Sequence, residues 1–195
     1  MARRSDHSRE ELHALALTAA RRIVAAEGLR GLGARRVARE IGYTIGTIYN
    51  IFEDFDDLID QMNGQTLDQL HQVCGRSEGE DEPETRLRRL ADRYVGFAAA
   101  HPKLYVALFE HQHPGDGRPP EWFGEKVSGL LRLVEAAIAP IMPDAAPGQV
   151  EAQARVLWAG VHGIISLETA DKLGGSGQAG ELVDLLLENF LSATE

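Results

Sequence analysis

Between Ala34 and Phe52 the chain reads ARRVAREIGYTIGTIYNIF, and its reactive side chains are hydroxyls, an amide and guanidinium groups. Thr44, Thr47 and Tyr49 can hydrogen-bond phosphate oxygens. Asn50 can bond both edge atoms of an adenine, and the methyls of Ile45 or a Thr can meet that of a thymine. Helical spacing places Thr44, Ile45, Thr47 and Asn50 on one side, and turns Val37, Ile41, Ile48 and Phe52 toward a packing partner. Gly46 costs about 1 kcal/mol of helix propensity relative to Ala, which makes sense where backbone must approach another surface. Ala38 is small where two helices would cross, and Gly42 permits the positive φ of a sharp turn. The pattern predicts two short helices joined tightly, the second offered to the major groove of a duplex. An ordinary helical hairpin inside a bundle would share the spacing.

Other elements must hold this pair in place. Ser8 and Glu11 form an S-x-x-E box, after which Leu12, Leu15, Ala19, Ile23 and Ala26 recur at helical spacing up to Gly28. The second helix is expected over 34–41, and a third, capped by Thr44, through about Phe52. Asp54 can cap a fourth, with Leu58, Ile59, Met62, Leu67 and Leu70 inward. Further helices fit 84–100, 102–112, 121–139, 148–172 and 180–193. The stretches 75–84, 113–120 and 174–180 read as loops. No stretch shows sustained strand alternation, so the expected fold is all-α with about nine helices.

The formal net charge is −10, which suits a nucleic-acid binder only once it is divided along the chain. Residues 1–50 hold nine Arg against five Asp/Glu and carry +4, leaving −14 on the remainder. A basic head on an acidic body places any phosphate-binding surface at the amino end, although a solvated charged face would look similar. No run is apolar enough for a membrane span, the start lacks the apolar core of a signal peptide, and Cys74 is the lone cysteine. These features suit a cytoplasmic protein. The sequence holds no Walker loop, G-x-S-x-G, H-E-x-x-H or CxxC, so neither an enzyme nor a cofactor is expected.

Residues 9–58 resemble the amino-terminal domain of the TetR family of bacterial transcriptional regulators. The motifs are AAEG closing helix one, VAREIG, T-x-G-T-I-Y-x-x-F, and Asp56-Asp57-Leu58 at the start of helix four. The resemblance implies a three-helix helix-turn-helix domain over 1–54, with Arg35, Thr44, Ile45, Gly46, Thr47, Tyr49 and Asn50 at DNA. Tyr49 matches a tyrosine that bonds a phosphate. Arg35 matches a position that reaches a base edge or the backbone. Two departures stand out. Ile45 and Asn50 occupy places where cationic or aromatic residues are common, and Phe55 takes the place of a phosphate-binding lysine amid Glu53, Asp54, Asp56 and Asp57. Affinity is therefore expected to lean on Arg3, Arg4, Arg9, Arg35 and Arg36.

Residues 55–195 resemble the family's ligand-binding and dimerisation domain, and WAGVHGIISLE carries the Trp158, His162 and Gly163 of a Trp-His-Gly subgroup. The resemblance implies a homodimer through helices 148–172 and 180–193, a palindromic operator, and a small, largely apolar effector. Candidate ligand residues are Phe97, His101, Tyr105, Phe109, Trp122, Trp158 and His162; plain core packing is the competing account for each. Gly160 and Gly163 would let a neighbouring helix approach. Glu110-His111-Gln112-His113 with His101 is expected to be a surface or helix-end group, and no metal is expected. The leading expectation is a ligand-released repressor. The alternative is a helical ligand-binding or interaction module with weak or vestigial DNA binding.

Overall fold

The computed structural model describes residues 7–76, 82–113, 117–174 and 177–194. Arg3 and Arg4, and parts of the three expected loops, lie outside them. Nine α-helices occur among the described residues: α1 (Arg9–Glu27), α2 (Ala34–Glu40), α3 (Ile45–Ile51), α4 (Phe55–Cys74), α5 (Pro83–Ala100), α6 (Pro102–Glu110), α7 (Glu121–Ile138), α8 (Gln149–Thr169) and α9 (Ala179–Ser192). Short 3-10 turns follow α1 at Leu29–Gly31 and α7 at Ala139–Ile141. The fold is all-α, as the periodicity predicts.

The ends of these helices have local causes. Ser8 accepts from the Glu11 amide at 3.1 Å while Glu11 reaches back to the Ser8 amide, so the capping box at α1 is complete. Asp54 accepts from the Asp57 amide at 2.7 Å, and Asp57 in turn accepts from the Glu53 amide at 3.0 Å, fixing the start of α4. Thr44 behaves differently from the expectation. It occupies the N-cap position of α3 with extended backbone, but its hydroxyl stands 3.4 Å from the Thr47 hydroxyl and caps no amide.

The chain divides into two compact units. The first takes residues up to Thr66 together with His101–Phe123; the second takes Leu67–Ala100 and the chain from Gly124. The first unit therefore extends past the turn at Asp54. Leu104 and Ala107 of α6 join the core that α1 to α4 build, the Asn63 amide donates to the Ala107 carbonyl at 3.1 Å, and Lys103 donates to the Ala26 carbonyl. In the second unit α8 packs on α9, and both pack on α5. Gly160 lets α9 come close, because a Cβ there would stand 2.7 Å from Leu186 Cδ2. Gly163 has open space around it and plays no such part in the isolated chain.

The first unit's core is tightly closed. Ala16, Ala20 and Val24 of α1, Val37 of α2, Ile48 of α3, and Leu58 and Met62 of α4 are all fully buried. Truncating Ile48 at this junction leaves a cavity that seven-residue helices cannot collapse around without losing their seat. We predict that Ile48→Ala lowers unfolding free energy by about 2–5 kcal/mol in urea titrations followed by circular dichroism. A loss below about 1 kcal/mol would refute the central place given to this side chain. Gly42 has φ +78° with nothing near its Cβ position, so Gly42→Ala is expected to cost about 1–2 kcal/mol through backbone strain alone.

Candidate nucleic-acid interface

Two helices of seven residues each make up the candidate reading element. Peptides this short have no stable helix of their own in water. Their geometry comes from the turn and from α1. The turn is closed by backbone bonds from the Gly42 amide to the Arg39 carbonyl (3.2 Å) and from the Tyr43 amide to the Ala38 carbonyl (2.8 Å), with Gly42 at positive φ. Ala38 is 2% exposed, so this small side chain lies inside.

Burial then divides α3 into two faces. Ile48, Ile51 and Phe52 are buried, and Phe52 stacks on His13 of α1 with ring centroids 4.9 Å apart. Ile51 is a core position that the T-x-G-T-I-Y-x-x-F pattern does not mark, since that pattern singles out Ile48 and Phe52. Gly46, Tyr49 and Asn50 are exposed, as are Thr44 and, on α2, Arg35. Thr47 is half-buried. Ile45 is also half-buried and packs against the core, so it is not wholly on the open side. Ile41, expected inside, is likewise only partly covered. A Cβ at Gly46 would meet nothing closer than Thr44 Oγ1 at 3.7 Å. The fold thus makes no demand for glycine there.

Electrostatics narrow the list of cations available for phosphate. Arg36 forms a two-pronged pair with Glu27 and also donates to the Gly31 carbonyl at 3.1 Å. Its hydrogen bonds hold the Glu27 carboxyl below the usual carboxylate range. Arg22 pairs with Glu40. Arg21 donates to Thr66 Oγ1 at 2.7 Å. Arg36 is therefore a brace between α1 and α2, whereas Arg9, Arg30, Arg35 and Arg39 are exposed. Phe55 packs on the head core.

The expected ligand residues fall in both units. In the first, Tyr105 is buried with its ring 5.3 Å from that of Phe109, which is 43% exposed; His101 is the exposed N-cap of α6; half-buried Trp122 meets Phe123 edge-on. In the second, Phe97 is buried, and Trp158 stacks on His162 at 5.6 Å with rings 10° from parallel. The Ser166 hydroxyl lies 3.2 Å from His162 Nε2, and burial pushes the His162 pKa down. A cleft of about 480 Å³ in the first unit is lined by Trp122 among others, and one of about 550 Å³ in the second by Glu82–Thr85, Pro140, Ile141, Leu191 and Thr194.

The histidines sit at the end of α6, one of the two placements expected of them, but they are not a surface group. The His111 side chain is only 8% exposed and the His113 side chain 15%, and both face Asp60 of α4, itself buried. His113 Nε2 is 2.8 Å from Asp60 Oδ1. Burial, then the neighbouring His113, lower the pKa of His111, against the opposing pull of Asp60, Asp56 and Asp54. The alternating His-x-His is visible in the chain; its link to an aspartate 53 positions away is not.

Known proteins share this geometry. The family described as "Bacterial regulatory proteins, tetR family" matches residues 16–62, and "Tetracyclin repressor-like, C-terminal domain" matches 87–190. The HTH-type transcriptional regulator Rv1816 of Mycobacterium tuberculosis is 24% identical over 197 residues, covering 86% of this chain and 84% of its own length. A Rhodococcus sp. RHA1 protein of unknown function has TM-score 0.79 at 25% identity, with 98% of each chain covered. A tetR-family transcriptional regulator from Streptomyces coelicolor shares the fold at TM-score 0.71 and 16% identity, over 95% of this chain and 84% of that one. With its helix-turn-helix assembled as described and family matches across both parts, the chain belongs to the TetR family of DNA-binding transcriptional regulators, which are not enzymes.

Proposed function

We propose that this chain acts as a homodimeric repressor, bound to a palindromic operator and released by a small, largely apolar effector. The observation that carries the reading is the outer face of α3. Tyr49 (50% exposed) and Asn50 stand open beside Gly46, with Arg35 exposed on α2, over a buried seat of Ile48 and Ile51. An exposed phenol hydroxyl, amide and guanidinium close together form the donor set that phosphate oxygens and base edges take. In this division of labour residues 1–54 read DNA, while 55–195 bind effector and dimerise. Tyr49 and Thr44 bond phosphates; Arg35, Ile45, Thr47 and Asn50 face base edges or the backbone; Gly46 allows close approach.

Dimerisation is read onto α8 and α9. Val156 and Leu167, about three helical turns apart on one side of α8, are 60% and 45% exposed, and Leu185 of α9 is 53% exposed. Pairing these helices with those of a second copy would cover all three, and a palindromic operator offers two copies half-sites about 34–36 Å apart. Trp158, His162 and Gly163 are read as the Trp-His-Gly subgroup pattern. The stacked Trp158–His162 pair supplies one wall for the effector; Phe97, His101, Tyr105, Phe109 and Trp122 remain candidates. Release requires that the effector bind the DNA-competent and released states with different affinity.

Binding of the full chain to DNA from its own upstream region, measured by fluorescence anisotropy, tests the reading. Tyr49→Phe should weaken binding roughly tenfold, the worth of about one hydrogen bond to a charged group. Arg35→Ala should also lower the salt dependence, by about one unit of log–log slope for each phosphate that is no longer neutralised. Wild-type binding that is absent, or indifferent to salt, sinks the proposal. Gly46→Ala should raise stability by up to about 1 kcal/mol while weakening DNA binding; unchanged DNA affinity would remove Gly46 from the interface. Leu185→Arg should turn a dimer into a monomer in light scattering after gel filtration, and a wild type that is already monomeric would refute the assembly.

A further inference from the structure

We propose that Asp60, His111 and His113 form a binding site for a divalent transition-metal ion of the Zn²⁺ class, with Asp56 within reach as a fourth ligand. Nε2 of both imidazoles lies close to one carboxylate oxygen, and only that of His113 is hydrogen-bonded to it. His113 Nε2 is 2.8 Å from Asp60 Oδ1 and 2.9 Å from Oδ2, and His111 Nε2 is 3.8 Å from the same Oδ1 and 3.5 Å from Asp56 Oδ1. The ligand atoms of the three principal residues lie within 4.8 Å of one another. A tetrahedral ion with bonds of about 2.0–2.1 Å holds its ligands roughly 3.3 Å apart. Small side-chain adjustments would close the site around one.

A second observation points to a ligand at this place. His111 Nε2 is buried and has no hydrogen-bond partner among the described residues, on a side chain only 8% exposed. Buried polar atoms are normally satisfied, and an orphan that lies among other ligating atoms is placed to bind a cation. The chemistry selects the ion. Two imidazoles with one or two carboxylates suit Zn²⁺, Co²⁺ or Ni²⁺, whereas Mg²⁺ and Ca²⁺ prefer all-oxygen shells. Access is provided by the 480 Å³ cleft, which Asp56, Asp60 and His113 line along with Glu53, Asp54 and Arg118. An ion here would tie the first turns of α4 to the segment after α6, the two elements that the Asn63–Ala107 bond also joins. Such a site requires neither DNA nor an organic effector and is independent of the repressor role.

Tag-free full-length chain, stripped with a chelator and titrated with Zn²⁺ against a chromophoric competitor, should take up one ion per chain. Co²⁺ should give the visible bands of a tetrahedral nitrogen–oxygen site, and excess Mg²⁺ should displace neither ion. His111→Gln and His113→Gln should each weaken Zn²⁺ binding by at least tenfold and abolish the Co²⁺ bands. His113 is the more exposed of the two, so His113→Gln carries the test should His111→Gln fail to fold by circular dichroism. A wild type that retains no Zn²⁺ against the competitor overturns the site. Variants that bind as the wild type does also overturn it, by assigning uptake to other histidines.

Discussion

Everything the amino-terminal unit presents to a partner depends on burying one side of two helices too short to exist alone. Ile48 is fully buried in a core that also holds Val37 of α2 and Ala16, Ala20 and Val24 of α1. Helix nucleation is unfavourable and seven residues cannot repay it by backbone hydrogen bonding. The seat therefore does double duty, supplying the stability of α3 and fixing the direction in which Tyr49 and Asn50 point. The alanines of α1 matter because larger side chains would push α2 and α3 away and change their angle.

The polar groups around that seat are organised to hold it. Arg36 and Arg22 reach Glu27 and Glu40 and so link α1 to α2. His13 stacks on Phe52 and bonds Gln61 at 2.6 Å, and Gln61 bonds Asp57 at 2.8 Å, joining α1 to the start of α4. Exposed ion pairs of this kind contribute little energy individually. Their effect is geometric, and it removes two of the head's arginines from the supply available to phosphate. The acidic run Glu53–Asp57, adverse to DNA when read as bare charge, is partly spent on capping: Asp54 and Asp57 are engaged with backbone amides. Phe55, where the resemblance implies a lysine, is used for packing.

How much was legible follows from the range of each interaction. Helix limits depend on neighbours three or four residues away, and the expected spans match the observed ones closely, down to Ser8 with Glu11 at α1 and Asp54 at α4. Leu58, Ile59, Met62, Leu67 and Leu70 fall inside as their spacing predicts. Thr44 shows the limit of local rules: its residue type and place are those of a cap, yet Thr47 competes for its hydroxyl. Ile45 and Ile41 lie at the edge of the core, where a periodic pattern cannot decide between the two sides. The groups gathered at Asp60 are further still from local prediction, because His113 and Asp60 meet across 53 positions of the chain.

The sequence by itself determined the all-α fold, the turn chemistry at Gly42, the helix-turn-helix pattern and the separation of a basic head from an acidic body. These are properties of short spacings, propensities and charge counts. Tertiary structure alone decided which arginines are braces and which are open, that α6 is part of the head's core, and that His111 and His113 meet Asp60. Each of those outcomes rests on a long-range meeting of side chains whose partners carry no mark of one another along the chain. Only packing, by choosing which surfaces leave water together, brings such side chains within bonding distance.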